Sequence, residues 1–277
     1  MKRLTFARII VLGLAIVVLG LATAVPPANA VSLFSVETQS NSLVLIDSET
    51  GKVNTIGTLG FDAVDTDLAS FGDRLFILNS IYRNRVDIYE VNPTTGATLS
   101  SAQVAYENKP VLHAEGLTNL GRKLIIGFSA NGGDPGSESI GELSLIGAIT
   151  NAMPTDTDFD GLGGDGIAQI FSVDGLGGSG PTNLFNVNYT NGSLSPIANL
   201  PIASNDIVSD GKNLFLLDIN SGKSELRLIK TSITGEIKSN VPIEVGQQYL
   251  GLAIKPDRGL LGIIVEFLSW LLQALKF

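Results

Sequence analysis

A strand-and-turn unit that recurs five times constrains this chain more than any other feature of its sequence. Each copy is an apolar run that ends in a turn with glycine, and the last glycines are 45, 51, 45 and 43 residues apart. A period of this length indicates a fold assembled from repeated units. The five copies are LVLIDSETG (43–51), DIYEVNPTTG (87–96), LSLIG (143–147), LFNVNYTNG (184–192) and LRLIKTSITG (226–235).

Each unit has room for four short strands and none for a crossover helix, so neighbouring strands must be antiparallel. The Thr-Gly and Asn-Gly turns supply the positive φ that tight hairpins need. Strands such as 75–78 and 214–217 are apolar on both faces, which indicates sheets covered on both sides. Sheets stacked as blades around an axis satisfy both requirements.

The motif Asp47-Ser48-Glu49-Thr50-Gly51 resembles the β-propeller repeats of secreted bacterial proteins. This resemblance covers roughly residues 31–257 and implies an all-β propeller, with five blades of four antiparallel strands. It implies little about activity, because propellers host hydrolases, lyases, lactonases and binding modules alike.

The segments that open the blades predict how the ring closes. The fifth copy, GLAIKPDRG (251–259), stops matching where a second strand should follow, and LFSVE (33–37) supplies the missing strand at the other end of the chain. One blade is therefore predicted to take its inner strand from 249–255 and its outer strands from 31–37, 43–47 and 52–58. Such closure removes two exposed edges.

The N-terminus has the features of a secretory signal peptide over residues 1–30. Lys2, Arg3 and Arg8 precede an apolar run, which Pro26-Pro27 and Ala28-Asn29-Ala30 follow. The alternative is an uncleaved membrane anchor. We expect an exported protein, located in the periplasm, at the cell surface or outside the cell.

Charge and cysteine content exclude several function classes. The mature chain would carry 15 basic against 27 acidic residues, a formal charge of −12, which disfavours nucleic acid as a partner. The absence of cysteine excludes disulfides, thiolate metal sites and cysteine nucleophiles. The glycine-rich segments 161–166 and 175–180 lack the strand-to-helix context of a phosphate-binding loop.

An aspartate-rich segment predicts a calcium site. Alternate carboxylates before a glycine let a loop turn its oxygens towards a hard cation. The closing ligand departs from two known types of calcium loop. An EF-hand would need Glu at the position of Ile167, and an integrin-type loop would need an acidic residue at the position of Gly164. The alternative is a solvated acidic turn. The predicted ligands are Asp156, Asp158, Asp160 and Asp165.

Polar residues at the start of the inner strands predict a second site at the channel mouth, able to hold a cation or orient a substrate. The alternative is that they are polar because the channel is wet. We aligned the five inner strands on Leu68, Leu117, Leu162, Ile207 and Leu252. The polar residues one or two positions before these are Thr66, Asp67, Glu115, Asp160, Asn205 and Asp206.

His113 is the sole histidine, two residues before Glu115. In an enzyme it would be the general base, with Glu115 or Asp160 beside it; a structural histidine is the alternative. We expect an exported binding module for a protein, glycan or small ligand, stabilised by calcium. A hydrolase or lyase that uses a bound cation at the channel mouth is the competing hypothesis.

The C-terminal segment 258–277 departs from the repeat pattern. Glu266, Ser269, Gln273 and Lys276 form one polar stripe on an otherwise apolar helical pattern over 259–277. We expect a helix that contacts a membrane, a partner or another copy of the chain; packing against the propeller is the alternative.

Overall fold

A computed structural model describes residues 30–81, 84–129, 138–175, 181–218, 226–243 and 248–256. Residues 1–29 of the predicted signal peptide and the whole predicted helix 258–277 lie outside the described residues. The strands are β1 Ser32–Glu37, β2 Ser42–Asp47, β3 Val53–Thr58, β4 Thr66–Phe71, β5 Arg74–Ile81, β6 Arg85–Val91, β7 Thr98–Gln103, β8 Ala105–Tyr106, β9 Lys109–Pro110, β10 His113–Leu120, β11 Lys123–Ser129, β12 Glu138–Leu143, β13 Ala148–Pro154, β14 Gly161–Gly164, β15 Ile170–Asp174, β16 Thr182–Asn188, β17 Ser193–Leu200, β18 Ile207–Ser209, β19 Asn213–Asp218, β20 Arg227–Ser232, β21 Ile237–Pro242 and β22 Tyr249–Ile254.

These strands form five antiparallel blades, which confirms the predicted five-bladed propeller. From the inner to the outer strand, blade 1 is β22-β1-β2-β3, blade 2 is β4 to β7, blade 3 is β10 to β13, blade 4 is β14 to β17 and blade 5 is β18 to β21. The inner strands contact one another in a closed ring, β22, β4, β10, β14 and β18. Within the described ranges, no helix is long and apolar enough to cross a membrane.

The predicted closure of blade 1 is confirmed. Strand β1 pairs with β22 in antiparallel register, with Leu33 opposite Ile254 and Glu37 opposite Tyr249. Backbone hydrogen bonds from Thr38 to Gln248 and from Lys255 to Ser32, 3.0 and 2.8 Å long, extend the pairing at both ends. The two ends of the propeller therefore share one blade.

Blade 3 carries an additional hairpin that the repeat analysis missed. Strands β8 and β9 pair with each other, and β8 pairs in parallel with the outer strand β13. The hairpin occupies residues within the longest interval of the repeat, the 51 residues between Gly96 and Gly147. It covers the outer edge of blade 3, an edge that would otherwise be open to another strand.

The hydrophobic core lies between the blades. The second strand of every blade contributes one fully buried phenylalanine. Phe76 of blade 2, for example, packs in one cluster with Leu117 and Phe128 of blade 3. Each blade contacts an adjacent blade on each of its two faces, which explains why strands such as 75–78 are apolar on both faces. The five phenylalanines are Phe34, Phe76, Phe128, Phe171 and Phe215.

The repeat glycines lie where each blade touches the preceding one. All five have positive φ, between 68° and 85°. A Cβ atom added at Gly147 would lie 2.2 Å from the Gln103 carbonyl oxygen of blade 2, and one at Gly192 would lie 2.3 Å from the Pro154 oxygen of blade 3. Glycine is thus required both for the turn and for the close approach of two blades.

Candidate binding site in the central channel

The central channel is bounded by the free edges of the five inner strands. We call the end at which these strands begin the upper mouth. At the aligned apolar position, five side chains are at most 1% exposed, and all of them except Leu252 pack in the core clusters between blades described above. These side chains are Leu68, Leu117, Leu162, Ile207 and Leu252.

Immediately above this apolar ring is a narrow section of the channel, which we call the throat. It is defined by the preceding residue of each inner strand: Asp67, Gly116, Gly161, Asp206 and Gly251. A Cβ atom at Gly116 would lie 3.1 Å from Oδ2 of Asp67, and one at Gly251 would lie 3.1 Å from Cα of Asp67. The lack of a side chain at Gly116 and at Gly251 therefore leaves room for Asp67.

Asp67 is held in the throat by backbone groups. Its Oδ1 accepts a 2.8 Å hydrogen bond from the Leu68 amide, and its Oδ2 accepts a 2.5 Å bond from the Leu117 amide of blade 3. Part of the residue borders the channel, yet protein surrounds the carboxyl group. Burial, followed by the charge of Asp206, raises the pKa of Asp67 well above its usual range.

Asp206 occupies the equivalent position of blade 5 and is 9% exposed. The amides of Leu252, Ile207 and Gly251 face its carboxyl group and lower its pKa, but burial outweighs them and raises the pKa of Asp206 to about 7. The three amides thus face the buried carboxyl group, although neither of its oxygens forms a hydrogen bond of regular geometry. Asp65 raises the pKa of both throat aspartates.

The predicted mouth residues outside the throat are held by different partners. Thr66 is buried and donates a 3.5 Å hydrogen bond to the Leu250 carbonyl. Oδ2 of Asp160 accepts a 2.6 Å bond from the Gly175 amide. Glu115 forms an ion pair with His113, and Asn205 is exposed. Each side chain is thus bound to the backbone, paired locally or turned to solvent.

Asp160 nevertheless lies among other acidic groups. Burial, opposed by the Gly175 amide and reinforced by the charges of Glu115, Asp174 and Asp158, raises the pKa of Asp160 to about 6. Together with the throat aspartates and Asp65, these side chains place seven carboxyl groups at the upper end of the channel. Those of the groups that are ionised give this end of the channel a negative potential, which the low-dielectric walls strengthen.

His113 lies beside Glu115, the carboxylate predicted to be its neighbour. Its Nδ1 pairs with Oε1 of Glu115, and the two side chains are only 14% and 12% exposed. Glu115 lies at an irregularity in the pairing of β10 with β11, which turns its side chain out of the regular alternation. Ser129 lies opposite His113 on β11, but it is 1% exposed and therefore closed to a substrate.

The four predicted calcium ligands are not brought together. Oδ1 of Asp156 accepts a 3.2 Å bond from the Leu194 amide, whereas Oδ1 of Asp165 accepts bonds of 2.8 to 3.0 Å from three amides of its own turn. Asp160 and Asp165 flank the strand Gly161–Gly164, so their backbones are about 16 Å apart. In the described part of the chain, no group of three acidic or histidine side chains is placed to hold a metal ion.

At the lower end, the channel opens into a cavity of about 310 Å³. The apolar ring forms its inner end, and the ends of the inner strands form its rim. The polar rim groups bind one another or the backbone: Ser70 donates a 2.7 Å bond to Ile254, and Asp210 accepts bonds of 2.8 and 2.7 Å from Lys212 and Asn213. The unpaired carboxylate oxygens of the channel, those of Asp206, thus lie above this cavity.

Comparisons with known proteins do not assign this chain to a family. Neither a protein-family model nor a curated protein matches the sequence. Similar solved structures include TolB from Acinetobacter baumannii, with a TM-score of 0.46, 16% identity and coverage of 83% of this chain and 55% of TolB. A functionally unknown protein from Desulfotomaculum acetoxidans has a TM-score of 0.43, 16% identity and coverage of 80% and 98%. The Dos1 propeller has a TM-score of 0.36, 12% identity and coverage of 76% and 55%.

This chain thus spans about half the length of TolB and of the Dos1 propeller. The assignment of the fold rests on the strand pairing of the chain itself.

Proposed function

We propose that this chain is an exported binding module whose upper channel mouth binds a cationic ligand, such as a basic segment of a partner protein. The observation that carries this proposal is the collection of seven carboxyl groups at that end, of which Asp65 and Asp158 are exposed. A cationic group that enters the mouth is attracted first by the exposed carboxyl groups, and its charge in turn favours ionisation of the buried ones, whose pKa is raised. The low-dielectric walls of the channel strengthen that attraction.

Binding accounts for the mouth better than catalysis does. A general base must reach the proton that it removes, and a nucleophile must reach the substrate. The hydroxyl-bearing residue opposite His113, Ser129, is buried, so the His113–Glu115 pair has no accessible nucleophile at that position. Asp160 has a pKa of about 6, which suits proton transfer, but its Oδ2 accepts a hydrogen bond from the Gly175 amide.

Export is supported by the sequence at the N-terminus, where a cationic start, an apolar run and Ala28-Asn29-Ala30 follow one another. Calcium stabilisation is part of the proposal as well. The predicted loop ligands are separated, so a calcium site needs a different set of oxygens.

Charge removal at the mouth tests the ligand class. A labelled oligolysine peptide should bind the full chain, and Asp65→Asn with Asp158→Asn should weaken that binding about tenfold at low salt, because two exposed charges leave the mouth. The matched control is Asp73→Asn with Glu236→Asn, which changes the net charge equally at exposed turns elsewhere. Fluorescence anisotropy gives the affinities. If both double variants lost the same affinity for oligolysine, the loss would depend on net charge alone, and this would contradict the proposal.

A further inference from the structure

The cavity at the lower end of the channel contains polar groups that the fold itself leaves unused. Its volume of about 310 Å³ lies within the range of small-molecule sites, about 300 to 1,000 Å³. Thr118 and Asn119 of β10 line the cavity, and neither side chain has a hydrogen-bond partner among the described residues. Thr118 is only 4% exposed. A buried hydroxyl of this kind is costly unless water or a ligand binds it.

Two glycines of blade 4 keep these groups open to the cavity. A Cβ atom at Gly164 would lie 2.8 Å from Oγ1 of Thr118, and one at Gly166 would lie 3.0 Å from Nδ2 of Asn119. Both glycines line the cavity. Any other residue at these positions would therefore place its side chain against a polar group of β10.

Blade 5 contributes a third group, the hydroxyl of Ser209. This residue is 3% exposed and lines the cavity. Its Oγ accepts a 3.0 Å hydrogen bond from the Gly211 amide, while its O–H donates to no acceptor among the described residues. The cavity therefore offers hydrogen-bond donors from Thr118, Asn119 and Ser209.

The rim of the cavity limits the charge of a ligand. Asp165 and Asp210 lie at the rim, and a Cβ atom at Gly211 would lie only 3.9 Å from Cβ of Asp165, so the two acidic turns adjoin. Neighbouring carboxylates repel an anion. An ammonium group has no acceptor and would leave the donors of Asn119 and Ser209 unpaired. A neutral hydroxyl both donates and accepts, so it suits the carboxylates and the donors alike.

We propose that the lower cavity binds a neutral monosaccharide of hexose size. Its hydroxyl groups pair with Thr118, Asn119 and Ser209 and with the carboxylates of the rim, while its C–H groups pack against the apolar ring at the inner end. This site does not depend on the cationic ligand proposed for the upper mouth, because the two sites lie at opposite ends of the channel.

Saturation-transfer NMR of the full chain with D-glucose, D-galactose and D-mannose tests this site. At least one of the three hexoses should receive saturation from the protein. Thr118→Val and Asn119→Ala should each weaken its binding about tenfold, because each removes a hydrogen bond to the sugar. The matched control is Thr150→Val, which makes the same substitution at an exposed position of the outer strand of blade 3 and should leave the affinity unchanged.

Two further measurements separate loss of this site from loss of the fold or of the upper mouth. Thr118→Val should melt at the same temperature as the unchanged chain or higher, because a methyl group replaces a hydroxyl that has no partner in the described part of the chain. Hexose binding should be independent of salt, whereas oligolysine binding at the mouth should weaken as salt increases. Absence of saturation transfer to all three hexoses would overturn the proposal. Binding that is equally strong in the unchanged chain, Thr118→Val and Asn119→Ala would overturn it as well, since the sugar would then lie elsewhere.

Discussion

Deletion of residues 31–37 will unfold the whole propeller rather than loosen one end of it. The deletion removes β1, which separates inner strand β22 from β2 and opens two unpaired edges. It also removes Phe34 and Val36, which are 2% and 0% exposed in the core between blades 1 and 2. We expect no cooperative thermal transition by circular dichroism.

A pair of point variants separates closure from a general effect on blade 1. Val36→Asp places a charge in the buried closing strand and should destabilise the chain by several kcal/mol, about 3 or more. Thr55→Asp places the same side chain on the exposed outer strand β3 and should change stability by about 0.5 kcal/mol. A deletion variant with an unchanged cooperative melt would show that the ring does not depend on this blade.

Gly147→Ala will be far more damaging than Gly211→Ala, although both glycines have a φ of 84°. Alanine at positive φ costs about 1 to 2 kcal/mol at either position. At position 147 the new Cβ would also lie 2.2 Å from the Gln103 oxygen and 2.9 Å from its carbonyl carbon, whereas at 211 the nearest atom is 3.9 Å away. Blade 3 must then move away from blade 2.

Urea unfolding measures this difference. We expect a loss of about 3 kcal/mol or more for Gly147→Ala and of about 1 to 2 kcal/mol for Gly211→Ala. Since the backbone strain is matched, the difference reports the contact between blades. Equal losses would show that the repeat glycines serve their own turns alone.

The sequence was sufficient to predict the ring because its signals are local and repeated. Gly51 and its four counterparts mark hairpin turns, and a strand that is apolar on both faces must be covered twice. The termination of the pattern after residue 257 and its resumption at Leu33 predicted the pairing of β1 with β22. The hairpin β8–β9 was missed because two-residue strands carry no periodicity, although the long 51-residue interval was a signal for it.

The site was harder to predict because it depends on contacts between blades. Asp67 and Asp206 could be placed on the channel, but their mutual effect depends on the width of the ring, which no local pattern encodes. The available signal was that this position of the inner strand is aspartate at 67 and 206 and glycine at 116, 161 and 251. The calcium prediction treated Asp156 to Asp165 as one loop, whereas strand β14 separates its last two aspartates.

A hydrogen-exchange footprint of bound oligolysine on the full chain tests the central claim most directly, because it shows which end of the channel binds. We predict slower exchange in the segments that lead into the inner strands, 60–67, 111–116, 155–161 and 203–207, and unchanged exchange in the lower turns 72–74, 121–123 and 210–212. Protection confined to the lower turns or to the outer strands would contradict binding at the upper mouth.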